Sequence, residues 1–317
     1  MAASVARALI PMAEGLALIG ELPEGVAVDL WNATGPPPGG GTGVGFWVPP
    51  FPPLGEYAER FAQLPDLRIA QTLTAGFEHV VATLPPGVTL CNAAGVHDGA
   101  VAEWALTLLL SVLRRVPFYV RAQAGGAPRD GESQTLVGRT VMLLGHGGIG
   151  RAIERRLHGF ETEIVRVASR PRDGVHGPED LPALLPRCNA VIVAVPLGPD
   201  TRGLVDAGFL ARLPDGAVLV NIARGPVVDQ DALAAELWSG RLCAALDVAT
   251  PDPLPADHPL RGCPNLLYSP HVAGATSLTL PRVFGFAGDQ IRRWAVGAPL
   301  VNVVAGPELL HPSSVPA

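Results

Sequence analysis

The chain has 317 residues, with 23 Lys plus Arg against 29 Asp plus Glu and a formal net charge of -6. That length suggests two domains at roughly 150 residues each, and it can bury a core without metal or disulfide support. All 23 basic residues are Arg, which excludes a Schiff-base lysine and a P-loop lysine, while the mild negative charge speaks against a nucleic-acid groove.

In chain order, residues 5–9 and 26–31 read as short strands. Residues 35–53, GPPPGGGTGVGFWVPPFPP, read as loop, because Pro blocks helix and Gly disfavours it. The aromatic residues of that loop, Phe46, Trp47 and Phe51, either line a cleft or anchor the segment. Residues 57–63 read as helix, 67–72 as a strand ending in the turn TAGFEH, and 88–92 as a further strand. The run 99–120 reads as the longest helix and is apolar on nearly every face. Such a helix is buried between domains or subunits, and the subunit reading makes the protein a homodimer.

From residue 140 strands and helices alternate. The strands are 141–144, 164–168, 190–194, 218–222, 244–248 and 266–269, and the helices are 149–158, 181–185, 205–211 and 230–239. Apolar strands separated by helices indicate a doubly wound parallel sheet covered on both faces. The apolar run at 106–113 is too short to span a bilayer, and Glu14 and Glu21 interrupt any signal-like start. Cys91, Cys188, Cys243 and Cys263 form no close pair, so neither a zinc knuckle nor a CxxC motif is present. A soluble cytoplasmic protein that engages neither membrane nor nucleic acid is expected.

The stretch TVMLLGHGGIGRAIERRL places Gly145, Gly147 and Gly150 in a GxGxxG pattern between a strand and a helix, the setting of a dinucleotide-binding turn. Gly145 permits the tight turn, Gly147 lets a pyrophosphate approach the backbone, and Gly150 lets the helix pack closely. His146, Gly148 and Ile149 complete the turn, and the N–H groups opening the helix meet the phosphate charge. The next strand ends in VRVASRPRD. Ser169 stands where an NAD site usually carries a carboxylate, and Arg170 and Arg172 follow. Arginine can clamp a 2'-phosphate, so NADP(H) is favoured over NAD(H).

Three later segments, NIARGPVVD, ALDVATPDPLPADHPL and SPHVAGAT, carry Arg224, Asp252 and His271 at strand ends. This set suits reduction of an α-keto acid. Arg224 holds the substrate carboxylate and polarises the keto oxygen, His271 donates the proton, and a carboxylate behind the imidazole fixes its tautomer. No metal is required, because Arg224 and the charged imidazole already oppose the developing alkoxide. His97 and Glu103 are read as structural or cleft-lining, and His79, His146, His158, His176 and His311 show no ligand spacing.

With TAGFEH, NAAGVHDGAVAEWAL, GHGGIG, VPLGPDTRGL and these three segments in order, the chain resembles the D-isomer-specific 2-hydroxyacid dehydrogenase family from about Leu67 onward. The resemblance implies a Rossmann-type cofactor domain, residues 95–275, inserted into a smaller α/β flavodoxin-like substrate domain, residues 1–94 and 276–317. It places the essential arginine on Arg224, the acid/base histidine on His271, and the carboxylate-binding loop on Leu73, Thr74, Ala75 and Gly76. It puts Val96, Val195, Pro196, Thr201, Ile222, Ala223, Asp247, Ala273 and Gly274 among the cofactor contacts, beside Arg224 and His271. The family has Glu where this chain has Asp252, so a contact with His271 is expected either after a small backbone shift or through water. The 35–53 segment departs from the family's first-domain pattern. The expected activity is reduction of a small 2-keto acid, such as glyoxylate, hydroxypyruvate or a substituted analogue, to the D-2-hydroxy acid. The alternatives are a dehydrogenase of another small anion, such as phosphite or formate, and a cofactor-sensing protein on the same scaffold.

Overall fold

The computed structural model describes residues 6–51, 57–123, 125 and 131–307. Val5 of the first expected strand, Pro52 and Pro53 of the expected loop, His311 and the tail beyond residue 307 lie outside the described residues. Packing divides the chain after His97 and before Thr276 into two units.

The first unit holds one sheet. Its strands are β1 (Ala6–Ile10), β2 (Val26–Leu30), β3 (Val44–Trp47), β4 (Ile69–Gln71), β5 (Thr89–Cys91) and β12 (Val303–Ala305), in the order β12-β5-β4-β3-β1-β2. Only β12 runs antiparallel, against β5. The helices are α1 (Glu14–Leu18), α2 (Tyr57–Ala62), α3 (Glu78–Val81) and α10 (Thr279–Ala295). Successive side chains of a strand face opposite ways. Accordingly Ile10 and Phe46 pack with Phe284 and Ile291 of α10 on one face, and Leu9 and Trp47 pack with Phe61 on the other.

Strand β3 corrects the reading of 35–53 as continuous loop. VGFW is buried along its whole length, and burial of four residues between two cores outweighs the Gly and Pro around it. Gly45 is required here, since a Cβ would come within 2.5 Å of the Trp294 ring. Phe46 and Trp47 are therefore core residues and line no cleft, while Phe51 is exposed.

The second unit begins with α4 (Asp98–Leu113) and α5 (Val116–Ala122). The expected single helix over 99–120 is thus two, broken where Arg115 takes a left-handed φ of 55°. Pro117 explains the break: its ring lacks an N–H and collides with a preceding helical carbonyl. Six strands follow: β6 (Thr140–Leu144), β7 (Glu163–Val167), β8 (Ala190–Val193), β9 (Val218–Asn221), β10 (Cys243–Leu246) and β11 (Leu266–Tyr268). All are parallel, in the order β11-β10-β9-β8-β6-β7. The intervening helices are α6 (Gly148–Leu157), α7 (Leu181–Leu184), α8 (Ala207–Leu210) and α9 (Gln230–Trp238). Met142, Leu144, Val191 and Val193 face one core. Val141, Leu143, Ile192 and Val220 face the other, together with α4 residues Ala102, Ala105, Leu109 and Leu113. The apolar α4 is thereby absorbed into its own unit. Chain order reverses between β6 and β8, and in such Rossmann-type sheets ligands bind outside the carboxyl ends of the strands at that point. Among the described residues no helix is long and apolar enough to cross a membrane.

Candidate active site

The turn after β6 is built by three glycines. Gly145 has φ +109°, and a Cβ there would lie 2.6 Å from the backbone of Ala194, so an L side chain is excluded twice over. At Gly150 a Cβ would lie 2.2 Å from the Gly145 carbonyl, which is how closely α6 returns over the turn. At Gly148 the Asp98 carboxylate fills the place of a Cβ, while nothing comes within 4 Å at Gly147. Gly147, the N-cap of α6, brings no side-chain cap of its own, and a helix start presents backbone N–H groups to an anion. Open backbone at Gly147, at the start of a helix, fits a dinucleotide pyrophosphate.

Beyond β7, Ser169, Arg170 and Arg172 are exposed. Arg172 turns back onto the glycine-rich turn, donating from Nη2 to His146 Nδ1 at 2.9 Å and to the His146 carbonyl at 3.0 Å. His146 Nε2 lies 2.5 Å from Glu154 Oε2. The Arg166 guanidinium, aided by His146, holds the Glu154 carboxyl down at about 2 although burial acts to raise it. After β8, Thr201 closes the loop that carries Val195 and Pro196, donating to the Pro196 carbonyl at 2.6 Å and accepting from Gly198 N–H at 2.8 Å.

The three candidate catalytic residues follow neighbouring strands: Arg224 after β9, Asp252 after β10 and His271 after β11. Ile222 and Ala223 are buried, and Asn221 fixes the bend into Arg224 by donating to its carbonyl at 3.0 Å and accepting from Ala223 N–H at 3.0 Å. Gly225 lets this bend lie against the next loop, where a Cβ would meet the Ala249 carbonyl at 2.1 Å. His271 Nδ1 lies 2.7 Å from Asp252 Oδ2, with side-chain exposures of 48% and 28%. The contact is direct, with no intervening water needed for the shorter carboxylate. The Asp252 loop is pinned on both sides. Gln230 exchanges two 2.6 Å bonds with the Thr250 backbone, and the Tyr268 hydroxyl accepts from Leu254 N–H at 2.9 Å. The Thr250–Pro251 and Asp252–Pro253 peptides are cis.

His271 takes a left-handed φ of 55°, and Asp247 is what holds it there. The Asp247 carbonyl accepts His271 N–H at 2.7 Å. Its carboxylate, 1% exposed, accepts from Trp104 Nε1, Ser269 Oγ, Val272 N–H and Ala273 N–H at 2.6 to 3.0 Å. A buried carboxylate is tolerated only when satisfied in this way. Sequence reading singled out Asp247 but neither Trp104 nor Ser269. Ser269, two residues before the histidine, was the available signal, whereas nothing in the pattern marks Trp104. Glu154 and Arg166 likewise carry no motif.

In the first unit, every carbonyl of Leu73–Gly76 accepts a bond. Leu73 accepts from His97 Nε2, Thr74 from Thr72 Oγ1 and Ala93 N–H, Ala75 from Asn92 Nδ2, and Gly76 from Thr74 Oγ1, all at 2.7 to 2.9 Å. The loop is thereby held rigidly through its carbonyls. Val96 packs in the core of this unit, and His97 has the structural part just described. Glu103 is exposed on α4.

A parallel, doubly wound sheet with a glycine-rich turn at its switch point defines a dinucleotide-binding architecture. Residues 106–273 match the model of the D-isomer specific 2-hydroxyacid dehydrogenase NAD binding domain. A glyoxylate reductase of Thermofilum pendens is 34% identical over 241 residues, 69% of each chain. A D-isomer specific 2-hydroxyacid dehydrogenase of Xanthobacter autotrophicus, solved with NADPH and MES, is 31% identical with a TM-score of 0.79, covering 96% of this chain and 98% of its own. An NADPH-dependent glyoxylate/hydroxypyruvate reductase of Sinorhizobium meliloti, solved with NADP and malonate, is 28% identical with a TM-score of 0.78, covering 95% and 97%. The chain belongs to the D-isomer specific 2-hydroxyacid dehydrogenase family.

Proposed function

We propose that this chain reduces small 2-keto acids, glyoxylate and hydroxypyruvate first among them, to D-2-hydroxy acids with NADPH as the preferred donor. The nicotinamide, when bound, supplies the hydride. His271 supplies the proton: Asp252 accepts from Nδ1, so the proton to be transferred is carried on Nε2. Arg224 attracts the substrate anion and polarises the keto oxygen. Val96, the Gly145–Gly150 turn, Val195, Pro196, Thr201, Ile222, Ala223, Asp247, Ala273 and Gly274 are the proposed cofactor contacts. Ser169, Arg170 and Arg172 are the proposed 2'-phosphate site, supported by the lack of a carboxylate at the end of β7 and by the NADP-bound Sinorhizobium relative. The amides of Leu73–Gly76 are the proposed donors to a substrate carboxylate.

The observation that carries this reading is the direct 2.7 Å pairing of His271 with Asp252 on the strand edge that also presents Arg224. A ligand-sensing role gives no reason to keep such a pair. The test is NADPH consumption over a panel of 2-keto acids run against NADH. Turnover with NADPH favoured is expected, and cofactor binding without turnover across the panel would turn the assignment to a sensor.

Three finer points join the proposal. The strand order β2-β1-β3-β4-β5 of the first unit supports a flavodoxin-like substrate domain. Helix α5 buries none of its residues and exposes Val116, Tyr119 and Val120, which supports a homodimer through this region. Cysteines held as thiols suit the cytoplasm.

A further inference from the structure

Arg172 is exposed, yet both its backbone and its guanidinium are held in place. The backbone of Arg172 is fixed by a tight Asp173–Gly174 turn, in which Arg172 and Val175 exchange N–H to carbonyl bonds of 3.0 and 2.8 Å and Gly174 has φ +69°. Its guanidinium is fixed by His146. Arginine can only donate, so His146 Nδ1 must accept and the ring proton must sit on Nε2. That proton points at Glu154 Oε2, 2.5 Å away. Glu154 is held in turn by Arg166, which donates from Nε to Oε1 at 2.7 Å and also from Nη2. The His146 and Glu154 side chains are only 9% and 16% exposed. Arg172 spends Nη2 on His146 and one Nη1 bond on the Arg170 carbonyl. Its Nε–H and second Nη1–H have no protein partner among the described residues.

We propose that Glu154 and His146 are positioning residues for cofactor choice: Glu154 sets the tautomer of His146, and His146 holds Arg172 in place for the 2'-phosphate of NADPH. The inference rests on the proposed NADPH preference. Its logic is preorganisation, because a guanidinium already ordered loses less entropy when it binds. The sign of the effect separates this relay from plain electrostatics. A carboxylate near a phosphate repels it, so through-space charge alone makes removal of Glu154 tighten NADPH. The relay makes the same removal weaken it.

The experiment is equilibrium titration of the full-length chain with NADPH, NADH and adenosine 2',5'-bisphosphate, by calorimetry, for wild type, Arg172→Ala, His146→Phe, Glu154→Ala and Glu154→Gln. The ratio of NADPH to NADH affinity should fall about three- to tenfold in His146→Phe and Glu154→Ala, the worth of one immobilised side chain. Adenosine 2',5'-bisphosphate should weaken in step, and Glu154→Gln, which keeps an acceptor, should recover part of the loss. Should Glu154→Ala fail to fold, His146→Phe carries the same comparison. A ratio that falls in Arg172→Ala alone overturns the relay and leaves the cofactor proposal standing. A ratio unmoved in Arg172→Ala overturns both. Equal loss of both cofactors in His146→Phe marks a merely structural role for the turn and overturns the relay, as does tighter NADPH in Glu154→Ala.

Discussion

His271 Nδ1 and Asp252 Oδ2 stand 2.7 Å apart, although a carboxylate one methylene shorter than the usual glutamate occupies position 252. The loop makes up the difference. Gln230 grips it at Thr250, and Tyr268 grips it at Leu254, so the aspartate is delivered to the ring by the backbone. Replacing Asp252 with Asn keeps the size and removes the charge. Turnover of the 2-keto acid should fall about 10- to 100-fold, the usual cost of losing an orienting partner, while the NADPH dissociation constant should hardly move. Steady-state kinetics beside cofactor titration separates the two quantities. An unchanged turnover and pH profile would remove Asp252 from the mechanism.

The strain at His271 is held by Asp247. Asp247→Ala leaves Ser269 Oγ and the Val272 and Ala273 N–H groups without their acceptor, while Trp104 Nε1 keeps only Ser269 Oγ at 3.1 Å, and orphaned buried donors cost about 1–3 kcal/mol each. Asp247→Asn keeps the shape but turns an amide donor toward donors. It should lose about 2–3 kcal/mol of stability, measured by urea unfolding, and should lower turnover as well, because the Val272 and Ala273 N–H groups that follow His271 lose their carboxylate acceptor.

Gly145→Ala places a Cβ against the Ala194 backbone at a φ that L residues avoid. The turn must then shift, and cofactor affinity should fall with it, by about tenfold or more for a strain of roughly 1–3 kcal/mol. Gly138→Ala is the matched control. Gly138 also has positive φ, but a Cβ there meets nothing within 4 Å, so it should cost stability without the same loss of cofactor binding. Cofactor titration and thermal melting of both variants check this.

Glu154 gives a pH prediction. Its carboxyl is held at about 2, chiefly by the hydrogen bond from Arg166, against an unfolded value near 4.5. The folded form therefore binds the proton less readily than the unfolded chain. The stability contributed is fully present above about pH 4.5 and is lost as pH falls toward 2. Unfolding measured over this acid range should show a shallower loss for Glu154→Gln than for wild type. Identical acid slopes would contradict the assignment.

The second unit was legible because its strands are apolar runs cut by helices, and because the GxGxxG turn falls where a strand ends. The first unit was less so. Strand β3 is four residues among prolines and glycines, and burial of all four between two cores makes it a strand. Helix α10 is hard to read from sequence although Val283, Phe284, Ala287 and Ile291 mark one face, since Pro281 and two glycines interrupt the pattern. At the site, residue types and order pointed to Arg224, Asp252 and His271. The direct contact between two residues 19 apart in sequence was not legible, because it depends on Gln230 and Tyr268 holding the loop. Side chains that act by holding others, such as Trp104 and Glu154, carry no motif and emerge only from the packing.

The central claim is that His271 delivers the proton to a 2-keto acid. The most direct measurement is single-turnover consumption of enzyme-bound NADPH, mixed with glyoxylate or hydroxypyruvate, for wild type and His271→Ala. The account predicts that the rate falls by about 10²- to 10⁴-fold, the usual contribution of a positioned acid, with NADPH still bound. An undiminished rate in His271→Ala would contradict it.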